Sequence, residues 1–120
     1  MDTYIAERNA FRATLAAQFL LTYLEIENDP PEPGDSETTL VDALREKGYF
    51  DGEQLEQRLE KSMSEWKLSQ RVTSVDYDAF QDILRRIELQ VRWGPAQFDQ
   101  VTLVLFMSTN LTSQRAATGS

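Results

Sequence analysis

The stretch ATLAAQFLLTYL, from Ala13 to Leu24, carries no charge over twelve residues. It constrains the fold more than any other feature of the chain. Within residues 2–27, Phe11, Leu15 and Phe19 recur at i, i+4 and i+8, and Leu20 and Leu24 repeat the spacing on an adjoining face. This predicts one long helix, with Asp2 or Thr3 able to cap its start. A helix apolar on nearly every side is normally covered on nearly every side. It is therefore expected to run through the middle of the fold, the alternative being one face set against another chain.

A second apolar run, Val101 to Met107, has only Thr102 as a polar interruption. At seven residues it falls far short of the ~18 needed to cross a bilayer. As a helix it has Pro95 well placed at the first position and Asp99 in the early turns, yet its apolar residues surround the whole axis. As a strand it has favourable residues in Val101, Thr102, Val104 and Phe106 and the length of a buried strand. Helix is the expectation, because two strands alone are rarely stable. Either way the run has no continuous polar side, and burial on both sides is expected.

Between these segments, residues 28–36 (NDPPEPGDS) stop any helix: Pro30, Pro31 and Pro33 lack amide donors and push their predecessors toward extended conformations. A new helix is predicted from Thr38 or Thr39, with Asp42 as capping partner, Leu40 and Leu44 as its apolar edge and Arg45 and Lys47 in its last turn. Gly48 is placed to end it in the left-handed conformation. Asp51 then caps a third helix with Gln54, stapled by Phe50 and Leu55, whose stripe is Leu55, Leu59, Met63 and Trp66. The pattern LxxKGxxDxxxLxxxL, Leu44 to Leu59, resembles the N-terminal helical hairpin of the nitrile hydratase α subunit. The resemblance implies a helical hairpin and nothing more, since that family's metal site depends on clustered cysteines and this chain has none.

Residues 69–74 (SQRVTS) are expected to end the third helix. A fourth, capped at Thr73 or Ser74, presents Phe80, Ile83, Leu84, Ile87 and Val91 on one face and stops at Gly94-Pro95. The expected architecture is all-α, a four- to five-helix bundle with a central helical hairpin, forming one domain over residues 1–114 with a frayed tail at 115–120. The alternative is an α+β fold with a C-terminal β-hairpin at 88–107, because Leu89, Val91 and Trp93 alternate with Glu88, Gln90 and Arg92.

The chemistry open to the chain is narrow. With no cysteine and no histidine, thiolate and imidazole nucleophiles, bases and metal ligands are all excluded. No glycine-rich phosphate loop or calcium loop occurs, so no cofactor and no metal are expected. Glu53, Glu56 and Glu60 fall on a solvated helical face, a weak basis for a carboxylate-only enzyme.

The net charge of −8 is concentrated: Glu25, Glu27, Asp29, Glu32, Asp35 and Glu37 occur in an acidic linker region, ending at residue 37, that has no Lys or Arg. Such a patch repels phosphate backbones, which argues against direct nucleic-acid binding. Arg85, Arg86 and Arg92 form the one basic cluster and have Asp82 at pairing distance in sequence, Asp82 to Arg85 or Arg86. Asp2 and Glu7 precede any apolar stretch, which is wrong for a signal peptide, so a cytoplasmic location is expected.

The function expected is non-enzymatic protein binding, as an adaptor, inhibitor or small subunit, with homodimerisation as a corollary. The alternative is an acidic decoy, an immunity-type inhibitor that occupies the basic surface of a nucleic-acid-binding partner. Candidate partner-binding residues are Glu25, Glu27, Asp29, Glu32, Trp93, Phe98 and Phe106. Trp66 continues a core stripe, whereas Trp93 sits at an element end where a partly exposed anchor is expected.

Overall fold

The computed structural model describes residues 2–50, 58, 60–77 and 82–108, with side chains from residue 7 and excluding those of 76–77 and 82–83. The chain runs α1 (Asp2–Glu27), β1 (Gly34–Thr39), α2 (Leu40–Glu46), β2 (Lys67–Tyr77), β3 (Asp82–Arg92) and β4 (Gln100–Ser108). The strands form one antiparallel sheet in the order β1-β2-β3-β4. The fold is therefore α+β, and the expectation of an all-α bundle is overturned. The alternative with a hairpin at 88–107 points the right way, but the sheet is twice as large.

The first helix has the expected bounds. It ends at Asn28, whose positive φ of 53° is tolerated by asparagine and whose amide donates to the Leu24 carbonyl at 2.9 Å. Its seat on the sheet is small: Ala13, Ala16 and Ala17 are fully buried, which lets the axis approach β3 and β4 closely. Leu20 and Leu21 extend this buried side of the helix, with Leu20 near Ala43 and Glu46 of α2. The back of the helix stays open, with Phe11 64% and Ile26 76% exposed. The charge-free segment is thus covered on its sheet side and uncovered along its back.

The polar segment GDSETT, read as the end of a linker and then a helix start at Thr38 or Thr39, is a strand. Nothing in its side chains signals this, because β1 is an edge strand that packs little and is exposed along nearly its full length. Thr39 then caps α2 as expected: its Oγ1 accepts from the Asp42 amide at 3.3 Å. Asp42 does not complete a reciprocal box, its carboxylate pairing instead with Arg45 at 3.1 Å. Gly48 adopts the predicted left-handed conformation, φ 78°. The Asp51 cap, its partner Gln54 and the stripe positions Leu55 and Leu59 lie outside the described residues, while Met63 and Trp66 are buried as expected.

Residues 69–74, read as a helix end, lie inside β2; the predicted fourth helix begins in β2 and is otherwise β3, with Phe80 of its expected face outside the described residues. The misreading has a simple cause. Ile87 and Val91 are four apart, a spacing that fits one helical turn and also two strand repeats. Leu89 separates the two periods, because it lies between them and is 1% exposed. Cross-strand register puts Leu68 and Val72 of β2, Ile87, Leu89 and Val91 of β3, and Val101, Leu103, Leu105 and Met107 of β4 on the face covered by the helices.

The run Val101–Met107 is therefore strand β4, and it is not buried on both sides. Val104 is 40% and Phe106 55% exposed on the opposite face of the sheet. An apolar stretch without a polar side is here half-exposed, against expectation.

Candidate functional site

Two regions of the surface stand out, an acidic rim at one edge of the sheet and an apolar strip at the other. The rim begins where α1 ends. Glu25 and Glu27 are exposed on its last turn, Asp29 and Glu32 are exposed on the proline-rich connection, and Asp35 and Glu37 are exposed on β1. Alternation along β1 sends both of its carboxylates to the face not covered by helices. Among the described residues, Glu27 meets Lys47 at 3.2 Å and Asp35 meets Arg71 at 3.5 Å. The Asp35–Arg71 pair is largely solvent-exposed and the Glu27–Lys47 pair partly so, and surface pairs of this kind contribute little to stability. Glu25, Asp29, Glu32 and Glu37 form no ion pair among the described residues.

Beside the rim, the open face of the sheet carries a shallow depression of about 500 Å³ lined by Asp35, Glu37, Arg71, Glu88 and Gln90. Register aligns Asp35, Arg71 and Glu88 across three strands, so one guanidinium lies between two carboxylates. Glu88 also accepts from Arg86 at 3.2 Å. The row carries two carboxylates to one guanidinium and is open to water, a polar surface rather than a catalytic cleft.

The basic cluster read from the sequence is dispersed. Arg86 and Arg92 face the open side, whereas Arg85 lies on the helix-covered side and donates to Ser74 Oγ at 2.9 Å. Arg92 donates to Gln100 Oε1 at 2.7 Å. The side chain of Asp82 lies outside the described ones; Glu88 is the carboxylate that meets Arg86. Glu60 accepts from Arg45 at 3.0 Å, while Glu53 and Glu56 lie outside the described residues. Among the described residues, no group of acidic side chains is placed to hold a metal ion, and no helix is long and apolar enough to cross a membrane.

The aromatic candidates separate. Trp93 is half-buried, its ring 5.9 Å from that of the buried Trp66, and it packs against the core. Phe98 is 85% exposed at the tip of the β3–β4 hairpin, and Phe106 lies roughly 20 Å further along β4 at ~3.4 Å per residue. The four acidic candidates follow one another from the last turn of α1 into the proline-rich connection, whereas Trp93 and Phe98 belong to the β3–β4 hairpin and Phe106 lies further along β4. Sequence reasoning missed Val104 as an exposed residue; the signal available was the parity it shares with Phe106.

Among the described residues, the one perturbed ionisation is that of Tyr49, whose hydroxyl is pushed up from the ordinary tyrosine range by burial. Its ring stands edge-on to Phe19 at 4.8 Å and to Phe50 at 5.2 Å, a position that belongs to the core. Comparison of the chain with protein families, curated proteins and solved structures finds no match.

Proposed function

We propose that the protein is a non-enzymatic, cytoplasmic binding protein whose acidic rim occupies a basic surface on another protein, of the kind that surface would otherwise offer to nucleic acid. One observation carries this reading. Six carboxylates, Glu25 to Glu37, are all exposed at one edge of the fold, and only two of them meet a cation among the described residues. Such a concentration of like charge projects a field that speeds association with a basic partner and repels polyanions. It is costly to the free protein and rewarding only when met by opposite charge.

The test is ionic strength combined with neutralisation. With the co-purifying partner in hand, affinity is measured at about 50 and 500 mM salt, where the Debye length shrinks from roughly 14 to 4 Å. A loss of at least tenfold is expected with salt. A comparable loss is expected at low salt when Glu25, Glu27, Asp29 and Glu32 are changed together to Gln or Asn. Affinity that ignores both changes refutes the decoy reading. A second reading, an adaptor or subunit held by apolar anchors, draws on the exposure of Phe98 and Phe106, and salt-independent binding abolished by Phe98→Ala favours it.

A further inference from the structure

The two edges of the sheet are built differently. β1 is short, begins after a proline at Gly34 and carries Asp35 and Glu37, features that discourage another strand from adding there. β4 has none of this protection: QVTLVLFMS contains no charge, no proline and no glycine over nine residues.

The orientation of its backbone follows from the hairpin. The Trp93 amide donates to the Asp99 carbonyl at 2.9 Å, which makes Trp93 and Asp99 a hydrogen-bonded pair. Alternation then directs the polar backbone groups of Val101, Leu103, Leu105 and Met107 toward β3. Those of Thr102, Val104 and Phe106 point outward, and among the described residues no backbone group meets them. The same three residues carry the exposed side chains of the strand, Val104 and Phe106 among them.

We propose that this edge pairs antiparallel with β4 of a second copy of the chain, joining two sheets into one of eight strands. Val104 is the midpoint of Gln100–Ser108, so a two-fold axis at Val104 overlaps the strands over their full length. That axis sets Val104 opposite its own mate and Thr102 opposite Phe106, each a hydrogen-bonded pair with the outward groups satisfied. Phe106 and Val104 then form a cross-strand apolar patch with their counterparts on the open face.

Charge identifies the occupant. A strand without charge gains nothing from an acidic or basic partner strand, whereas its own copy is equally uncharged and, about the axis at Val104, presents the same outward backbone groups in matching register. The arrangement also answers the net charge of −8. It sets the two acidic β1 edges seven strand spacings apart, roughly 34 Å at ~4.8 Å each, well beyond screening range. On the helix side, α1, which rests on β4 and β3, carries the small residues Ala10 and Thr14, and the Thr14 hydroxyl is bonded back to the Ala10 carbonyl at 2.8 Å.

Sedimentation equilibrium of the full chain from about 2 to 200 μM tests the pairing, a range that brackets micromolar dissociation. The wild type is expected to be a dimer whose affinity does not depend on salt, unlike binding through the acidic rim, so the two proposals fail separately. Val104→Pro removes an outward amide and leaves the β3–β4 ladder intact, as edge prolines do. It is expected to weaken the dimer at least 100-fold with the circular dichroism spectrum preserved. The chain has no cysteine, so Val104→Cys gives a single thiol. It is expected to form a disulfide-linked dimer under mild oxidation, because hydrogen-bonded antiparallel pairs hold Cα atoms about 5.5 Å apart. Thr73→Cys, on β2, is expected to remain monomeric under denaturing, non-reducing conditions. A wild type that stays monomeric to 200 μM overturns the proposal, as does a dimer that a folded Val104→Pro variant retains. Should Val104→Pro not fold, failure of Val104→Cys to cross-link faster than Thr73→Cys overturns it.

Discussion

Leu89 and Leu84 lie five residues apart on β3, and truncating each to alanine distinguishes a strand from the helix that the sequence suggested. In a helix bearing Ile83, Leu84, Ile87 and Val91 on its buried face, Leu84 is core and Leu89 lies off it. In the strand the parity is reversed. Leu89 is 1% exposed between Gln70 and Leu103 in register, and Leu84 is half-buried on the other face opposite Val75. Leu89→Ala removes three carbons from the core. At ~0.8 kcal/mol each the transfer loss is about 2.4 kcal/mol, and an incompletely collapsed cavity raises it to about 3–4 kcal/mol. For a chain of 120 residues the unfolding entropy is roughly 250 cal/mol/K, so Tm falls by about 12–16 °C. Leu84→Ala is expected to cost about 1 kcal/mol, or roughly 4 °C, because its environment is already partly water. Calorimetry of both variants at equal protein concentration measures the difference. Equal losses, or a larger loss at Leu84, would falsify the assignment of faces on β3.

Two further outcomes test the hairpin and the aromatic core. At Gly94 a Cβ would collide with the Asp99 carboxylate, whose Oδ2 accepts from the Ala96 amide at 3.2 Å inside the turn; Gly94→Ala is expected to cost about 1 kcal/mol by displacing that bond, read as a lower urea midpoint. Burial raises the Tyr49 ionisation above its unfolded value near 10. Stability associated with that site is therefore full below about pH 10 and lost as pH rises toward the folded value, because the unfolded state releases the proton first. Tyr49→Phe is expected to flatten this alkaline decline in denaturant titrations, and an unchanged slope argues against a buried hydroxyl.

The parts of the fold legible in the sequence were those held by local signals. The long charge-free segment gave α1 its correct limits, the Thr39 hydroxyl marked the start of α2, and Gly48 marked the left-handed turn after it. The sheet was not legible, for two physical reasons. GDSETT packs little against the core, so its strand conformation is imposed by hydrogen bonds to β2 and leaves no apolar trace. β3 holds Ile87 and Val91 at a spacing common to both periods, and the argument against β4, that a hairpin lacks support, failed because its support comes from β2 and β1. The acidic rim was legible as composition but not as geometry: only the structure puts Asp35 and Glu37 on the open face beside Arg71. The exposure of Val104 was hidden by the assumption that apolar runs are wholly covered.

The order of the elements has a consequence for how the chain reaches its fold. Strands that pair with their neighbours in sequence bring only modest loop-closure costs, lowest between β2, β3 and β4 and higher between β1 and β2, which α2 separates; this favours rapid sheet formation. The helix is the exception. α1 precedes every strand, yet it rests on β4 and β3, the last two. On a growing chain, Ala13–Leu24 must wait without its cover until residues near 108 have emerged, the interval in which exposed apolar surface invites wrong contacts. Contacts made by Ala13, Ala16 and Ala17 should then form late, so that weakening them quickens unfolding far more than it slows folding.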